Sequence, residues 1–230
     1  MEAPSPVNVE DKSTKDIILD DLKKVYKDIL SKYLDEREYK ENKIRAWIDN
    51  ILSEAKDYFI KKYPNYDIFL HVFVSTRNVY FRSNSDVIYC KSTDNNTSIS
   101  FITDHLYSAI YFFFFQKKDL PFTLEDYESE IMQRGNDIMI KHLEDRKYNY
   151  DKIKQYNSDI NNEHINLILE KIENNQIIRC FCLNEIFQVP IKGKYAYKSL
   201  CYGKNIYSKI CQSYSNDSLI CFHHLFFFKS

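Results

Sequence analysis

The sequence predicts an α+β fold: two helices packed on a four-stranded antiparallel sheet, followed by a mainly helical and irregular C-terminal extension. Three observations lead to it. Apolar residues recur at three- and four-residue intervals as far as Lys62, then at two-residue intervals from Ile68 onward. Pro64 stands between the two regimes, and no glycine occurs from Tyr39 to Phe115. Past Lys117-Lys118 the helical period returns, and beyond Gln176 it fades.

Each element has a local reason. Residues 1–13 carry two Pro and scattered charges without periodicity and are expected to be a disordered tail. Ile18, Leu22, Val25, Ile29 and Tyr33 then mark one face of a helix, with Ser13 or Thr14 available as its cap. A second helix runs from about Glu41 to Lys62, its face held by Ile44, Trp47 or Ile48, Ile51, Ala55, Tyr58 and Phe59. Pro64 ends it by removing a donor and disfavouring helix in the residue before it. Ile68 to Val74 is apolar on both faces and reads as a central, doubly covered strand. The next strand, about Val79 to Tyr89, has a polar middle, which suits an edge or an exchanged strand. Thr93-Asp94-Asn95-Asn96 is a turn, Thr97 to Thr103 alternates, and Tyr107 to Phe115 is a buried last strand.

The extension is expected to be helical over 124–173, interrupted by Gly135, and irregular over 176–230, where Ile177 to Ile191 suggests one or two strands. The domain reading is a tail over 1–13, one domain over 14–118 and an extension of unassigned role over 119–230. No internal repeat is found, and no heptad run is long enough for a coiled coil.

Composition narrows the function classes. With 44% hydrophobic and 28% charged residues the chain can bury a core, and its net charge of −1 gives no overall pull toward nucleic acid or acidic lipid. Only three Gly stand against nineteen Tyr and sixteen Phe, a bias that fits an AT-rich genome. The start lacks the basic and apolar regions of a secretory signal, and the apolar runs 109–115 and 225–228 fall far short of the roughly 20 residues of a membrane span. Six Cys in this context are expected to be reduced cytosolic thiols.

With these elements in order, the first half resembles the Tctex-type dynein light chains. The resemblance rests on Tyr39-x-x-Asn42-Lys43-Ile44-x-x-Trp47 opening the second helix, on the strand Ile68 to Val74, on Tyr89 shortly before Thr93-Asp94-Asn95, and on Leu106-Tyr107 opening the last strand. Tyr89 stands where Trp is usual, Asn95 where the family turn has Gly, Val87 where Cys is usual and Cys90 where Asp is common. The glycines usual between the first two strands are replaced around Asn78-Val79-Tyr80.

The resemblance implies a non-catalytic adaptor without cofactor or metal. It implies a homodimer made by exchanging the second strand, and capture of an extended segment of the dynein intermediate chain, or of cargo, by strand addition. It also implies a role in microtubule-based transport, with the protein in the cytoplasm on the dynein complex, cytoplasmic or axonemal. The edge for exchange and peptide is expected at Tyr80, Arg82, Ser83, Asn84, Ser85, Asp86, Val87, Ile88 and Tyr89. The family motif itself is Tyr39, Asn42, Lys43, Ile44, Trp47, Thr93, Asp94 and Tyr107.

Competing sites are weaker. Cys180, Cys182, Cys201, Cys211 and Cys221, with His223 and His224, lack the paired spacing of a zinc site, so scattered thiols are the better reading. Residues 186–216 hold Lys192, Lys194, Lys198, Lys204 and Lys209 interleaved with Tyr195, Tyr197, Tyr202 and Tyr207. A solvated loop accounts for this run; the alternative is a regulatory or nucleic-acid-binding tail, with the α+β module serving only to dimerise. His71, on an apolar strand, is expected in the core or an interface, and Trp47 in the core between helix and sheet. Gly135, Gly193 and Gly203 form no phosphate loop, and no nucleophile–base pair suggests an enzyme.

Overall fold

A computed structural model describes residues 14–88, 95–116, 128–171, 179–202 and 206–228. Helix α1 (Thr14–Leu34) buries Ile18, Leu22, Tyr26, Ile29, Leu30 and Leu34 along one stripe. Helix α2 (Glu41–Lys62) buries Ile44, Trp47, Ile48, Ile51, Leu52, Ala55 and Phe59, and ends as Tyr63 N–H returns to the Phe59 carbonyl. A polar knot fastens the pair: the Asp21 carboxylate accepts hydrogen bonds from Lys62 Nζ at 2.6 Å and from the hydroxyls of Tyr58 and Tyr63, each at 2.7 Å. Burial alone would raise the Asp21 pKa, but these donors outweigh it and hold the group below its ordinary value.

Strands β1 (Tyr66–Thr76), β2 (Phe81–Ile88), β3 (Asn95–Ile102) and β4 (Leu106–Gln116) follow. The chain then repeats the same order of elements. Helices α3 (Glu128–Leu143) and α4 (Tyr150–Lys171) lead into β5 (Arg179–Gln188), β6 (Tyr195–Tyr202), β7 (Ile206–Ser215) and β8 (Leu219–Phe228). β5 falls where Ile177 to Ile191 suggested a strand, whereas β6, β7 and β8 correct the expectation that the rest of 176–230 is irregular. The strand pattern is weakened in β5 and β8 because polar residues occupy buried positions there: Asn184, Glu185, His223 and His224 are all buried. Gly135 does not interrupt α3; it is buried within the helix, on the side that carries Ile131, Ile138 and Met139.

Pairing explains how the two halves combine. One sheet has the order β3-β4-β1-β6 and the other β2-β5-β8-β7, every neighbouring pair being antiparallel. The second strand of each half has therefore left its own sheet and joined the other. Strand exchange takes place within one chain, not between two copies as expected, because β5 and β6 supply the places that a second protomer would fill. The crossing is tied by Thr76 N–H to the Lys194 carbonyl at 2.9 Å and Gln188 N–H to the Tyr80 carbonyl at 3.0 Å.

The layers run helix pair, sheet, sheet, helix pair. Ile68, Leu70, Val72 and Val74 face α1 and α2, and β6 adds Ala196 and Leu200 to that core. On the other face of β1 and β4, Phe69, Tyr111, Phe113 and Phe115 pack with Leu183 of β5, and Phe73 packs with Phe187. Both faces of β1 and β4 are thus removed from water, which is why they read as continuous apolar runs. Each large side chain so buried contributes roughly 1.5–3 kcal/mol of transfer free energy.

Candidate functional site

Polar groups that function could use are gathered at the exchanged strands. Among the described residues β2 is hydrogen-bonded on one side only, to β5, with Ser85 opposite Leu183 and Asn84 opposite Asn184. No described strand pairs with its other edge, and beside it lies a groove of about 760 Å³. Tyr80 and Ser83 form one wall, Ser98 and Ser100 of β3 another, and Tyr148 and Tyr150 at the start of α4 close an end. The wall is hydroxyl-rich and nearly free of charge. Tyr80 and Tyr150 are 54% and 51% exposed and form part of the groove's surface.

Ser83 reaches the floor of this groove by a hydrogen bond with the Tyr111 hydroxyl. Tyr111 is buried between the sheets, and burial raises its pKa, so the phenol stays protonated and able to donate. Beside it, His71 Nδ1 and Ser199 Oγ of β6 are 2.9 Å apart, and His71 Nε2 lies 3.8 Å from Glu185 Oε1. His71 and Glu185 are buried, each 1% exposed at the side chain, where the two sheets meet.

The structure separates the residues expected to act together. Tyr80, Ser83 and Ser85 lie at the β2 edge, and Arg82, Asn84, Asp86, Val87 and Ile88 are in the same strand. Tyr89, Thr93 and Asp94 lie outside the described residues. Ile44 and Trp47 are buried and Tyr39 and Tyr107 partly so, whereas Asn42 and Lys43 are exposed on the first turn of α2 and belong to no core. Trp47 is also covered by the Arg37 guanidinium, 5.0 Å from its ring.

Tyr148 and Tyr150 were not singled out in the sequence. A signal for them existed: Tyr148-x-x-Asp151-Lys152-Ile153-x-x-Tyr156-x-x-x-Ile160 repeats the spacing of Tyr39-x-x-Asn42-Lys43-Ile44-x-x-Trp47-x-x-x-Ile51. The structure thereby corrects the reading of a chain without internal repeat. The second copy was masked because Asn157, Asn161 and His164 stand where α2 has Ile48, Leu52 and Ala55, and these buried polar residues break the apolar stripe.

Among the described residues no group of three or more His, Cys, Asp or Glu could hold a metal ion, and Cys180, Cys182 and Cys221 are free and buried. Burial raises the Cys221 thiol pKa, which works against a nucleophilic thiolate. No described helix is long and apolar enough to cross a membrane. The arrangement is suited to binding an extended chain. Residues 16–115 match the family model described as the Tctex-1 family, and no curated protein matches the chain.

Proposed function

Because residues 16–115 match the model of the Tctex-1 family, we propose that the chain is a non-catalytic light chain of a dynein motor. It binds an extended segment of the dynein intermediate chain, or of cargo, by adding it as a strand to the free edge of β2, and so supports microtubule-based transport. The observation that carries this reading is the half-paired β2 beside a hydroxyl-lined groove, with main-chain groups to satisfy a strand and Tyr80 and Tyr150 to grip its side chains.

The nucleic-acid alternative has less behind it. Part of the basic run is β6, and Lys194 just before it and Lys198 within it sit in ion pairs with Glu41 and Asp49 at 2.9 and 2.7 Å. Binding of intermediate-chain N-terminal peptides to the full chain, followed by calorimetry, tests the proposal. Ser85→Pro, which disrupts the strand, and Tyr150→Ala, which leaves the backbone intact, should each weaken binding at least tenfold. Unchanged affinity in both variants, with unchanged circular dichroism, removes β2 as the docking edge.

A further inference from the structure

We infer that the segment taken by the β2 groove carries a phosphoserine, set against Arg77; this rests on the strand-addition reading of β2. Matching hydrogen bonds relate the two halves of the chain residue by residue. Thr76 N–H donates to the Lys194 carbonyl at 2.9 Å as Gln188 N–H donates to the Tyr80 carbonyl at 3.0 Å. Arg77 N–H donates to the His105 carbonyl at 3.3 Å as Val189 N–H donates to the Ser218 carbonyl at 2.9 Å. Arg77 therefore stands where the second half has Val189, and Tyr80 stands where it has Lys194. On the helices, Tyr150 holds the place that Glu41 holds in the repeated motif.

These exchanges set the charge of the groove. Glu41 and Lys194 balance each other as an ion pair, whereas their counterparts at the β2 groove, Tyr150 and Tyr80, are uncharged. Arg77 then adds a cation where Val189 has none. Among the described residues that line the groove Arg77 alone is charged; it is exposed and enters no ion pair with another described residue. Its backbone is fixed, because Val79 N–H closes the turn on the Thr76 carbonyl at 3.2 Å and Thr76 Oγ1 donates to Asn78 Oδ1 at 2.6 Å. An anion arriving beside β2 thus meets a placed guanidinium and no competing carboxylate on the described walls.

The hydroxyls favour phosphate over carboxylate. Ile99 and Phe101 of β3 pack into the core under α1 and α2, so alternation turns Ser98 and Ser100 to the opposite face, where they line the groove. Both are exposed, as are Tyr80 and Tyr150 across from them. A carboxylate is satisfied by bidentate contact with one guanidinium. A phosphate monoester brings roughly two negative charges and three strong acceptor oxygens, and so draws on the hydroxyl donors as well.

The test uses the full chain at about 0.15 M salt, near physiological screening. The probes are capped peptides of alternating Thr and Val whose central residue is Ser, phosphoserine or Glu; the intermediate-chain peptide is measured separately. The phosphoserine peptide should bind once per chain, at least tenfold more tightly than the Ser and Glu versions. Arg77→Gln should abolish that preference, and the double variant Ser98→Ala, Ser100→Ala should narrow the advantage of phosphoserine over Glu. Ser85→Pro should weaken all three peptides together. A phosphoserine peptide that fails to bind, binds no better than the Ser peptide, or keeps its advantage in Arg77→Gln overturns the inference. So does a Glu peptide that matches it, which would assign the site to carboxylates. In those cases an intermediate-chain peptide that still depends on Ser85 and Tyr150 leaves the β2 reading standing. If the phosphoserine peptide behaves as expected and the intermediate-chain peptide does not bind, the partner assignment for β2 fails and the phosphate specificity survives.

Discussion

A buried polar cluster in the second half sets the most specific expectation for single residues. Asn184 Nδ2 donates to Asn161 Oδ1 at 2.8 Å, its Oδ1 bonds His223 Nδ1, and the His223 ring stacks on His164 with centroids 3.7 Å apart. Burial, and then the neighbouring His164 and His224, push the His223 pKa well below its ordinary 6.5. The unfolded ring takes up its proton near pH 6.5 and the folded ring only at lower pH, so the stability tied to this group is complete above about 6.5 and is lost as pH falls below it. Thermal melts should therefore drop from pH 7 to pH 5. The drop should vanish in the triple variant Asn161→Leu, Asn184→Val, His223→Ile, and a persistent drop assigns the acid sensitivity elsewhere. Asn184→Val alone should cost about 1–3 kcal/mol, because it leaves Asn161 and His223 buried without that partner.

At the scale of elements, the crossing of the two exchanged strands depends on the turn before β6. Gly193 has φ +101°, and a Cβ there would collide with the side chains of Asn78 and Thr76. The same turn is held as Lys194 N–H donates to Thr76 Oγ1 at 3.0 Å. Gly193→Val should therefore destabilise by at least about 1–3 kcal/mol from backbone strain alone, read as a lower urea midpoint. An unchanged midpoint would mean that the crossing tolerates a different path. Helices α1 and α2 and strands β1 and β4 were legible because their apolar spacing and the Pro64 stop are local signals. Strand β5 was legible only as part of the run Ile177 to Ile191, and β8 not at all, because their buried faces carry Cys, Asn, Glu and His at several positions.

For the whole molecule, internal exchange replaces the need for a second copy. The full chain should sediment as a single 27.7 kDa species at micromolar concentration. A fragment of residues 14–118 leaves β1 without β6 and β2 without β5, so it should self-associate to recover those pairings. A monomeric, folded fragment would show that the first half closes its own sheet when the second is absent. Burial of Phe69, Phe113 and Phe115 between the sheets argues against that outcome, since removal of β5 to β8 exposes them.

The sequence by itself determined the helix–helix–strand order of the first half, the polar character of β2 and the motif by which the first half resembles the Tctex-1 family, whose model matches residues 16–115. These rest on short-range rules, in which periodicity, proline and residue spacing act within a few residues of one another. Only the tertiary structure decided which strands pair. Hydrogen bonding along an edge is indifferent to whether the neighbouring strand comes from the same chain or another. That β2 joins β5 and β6 joins β1 follows from two similar halves sharing one chain, in which each completes the other's sheet.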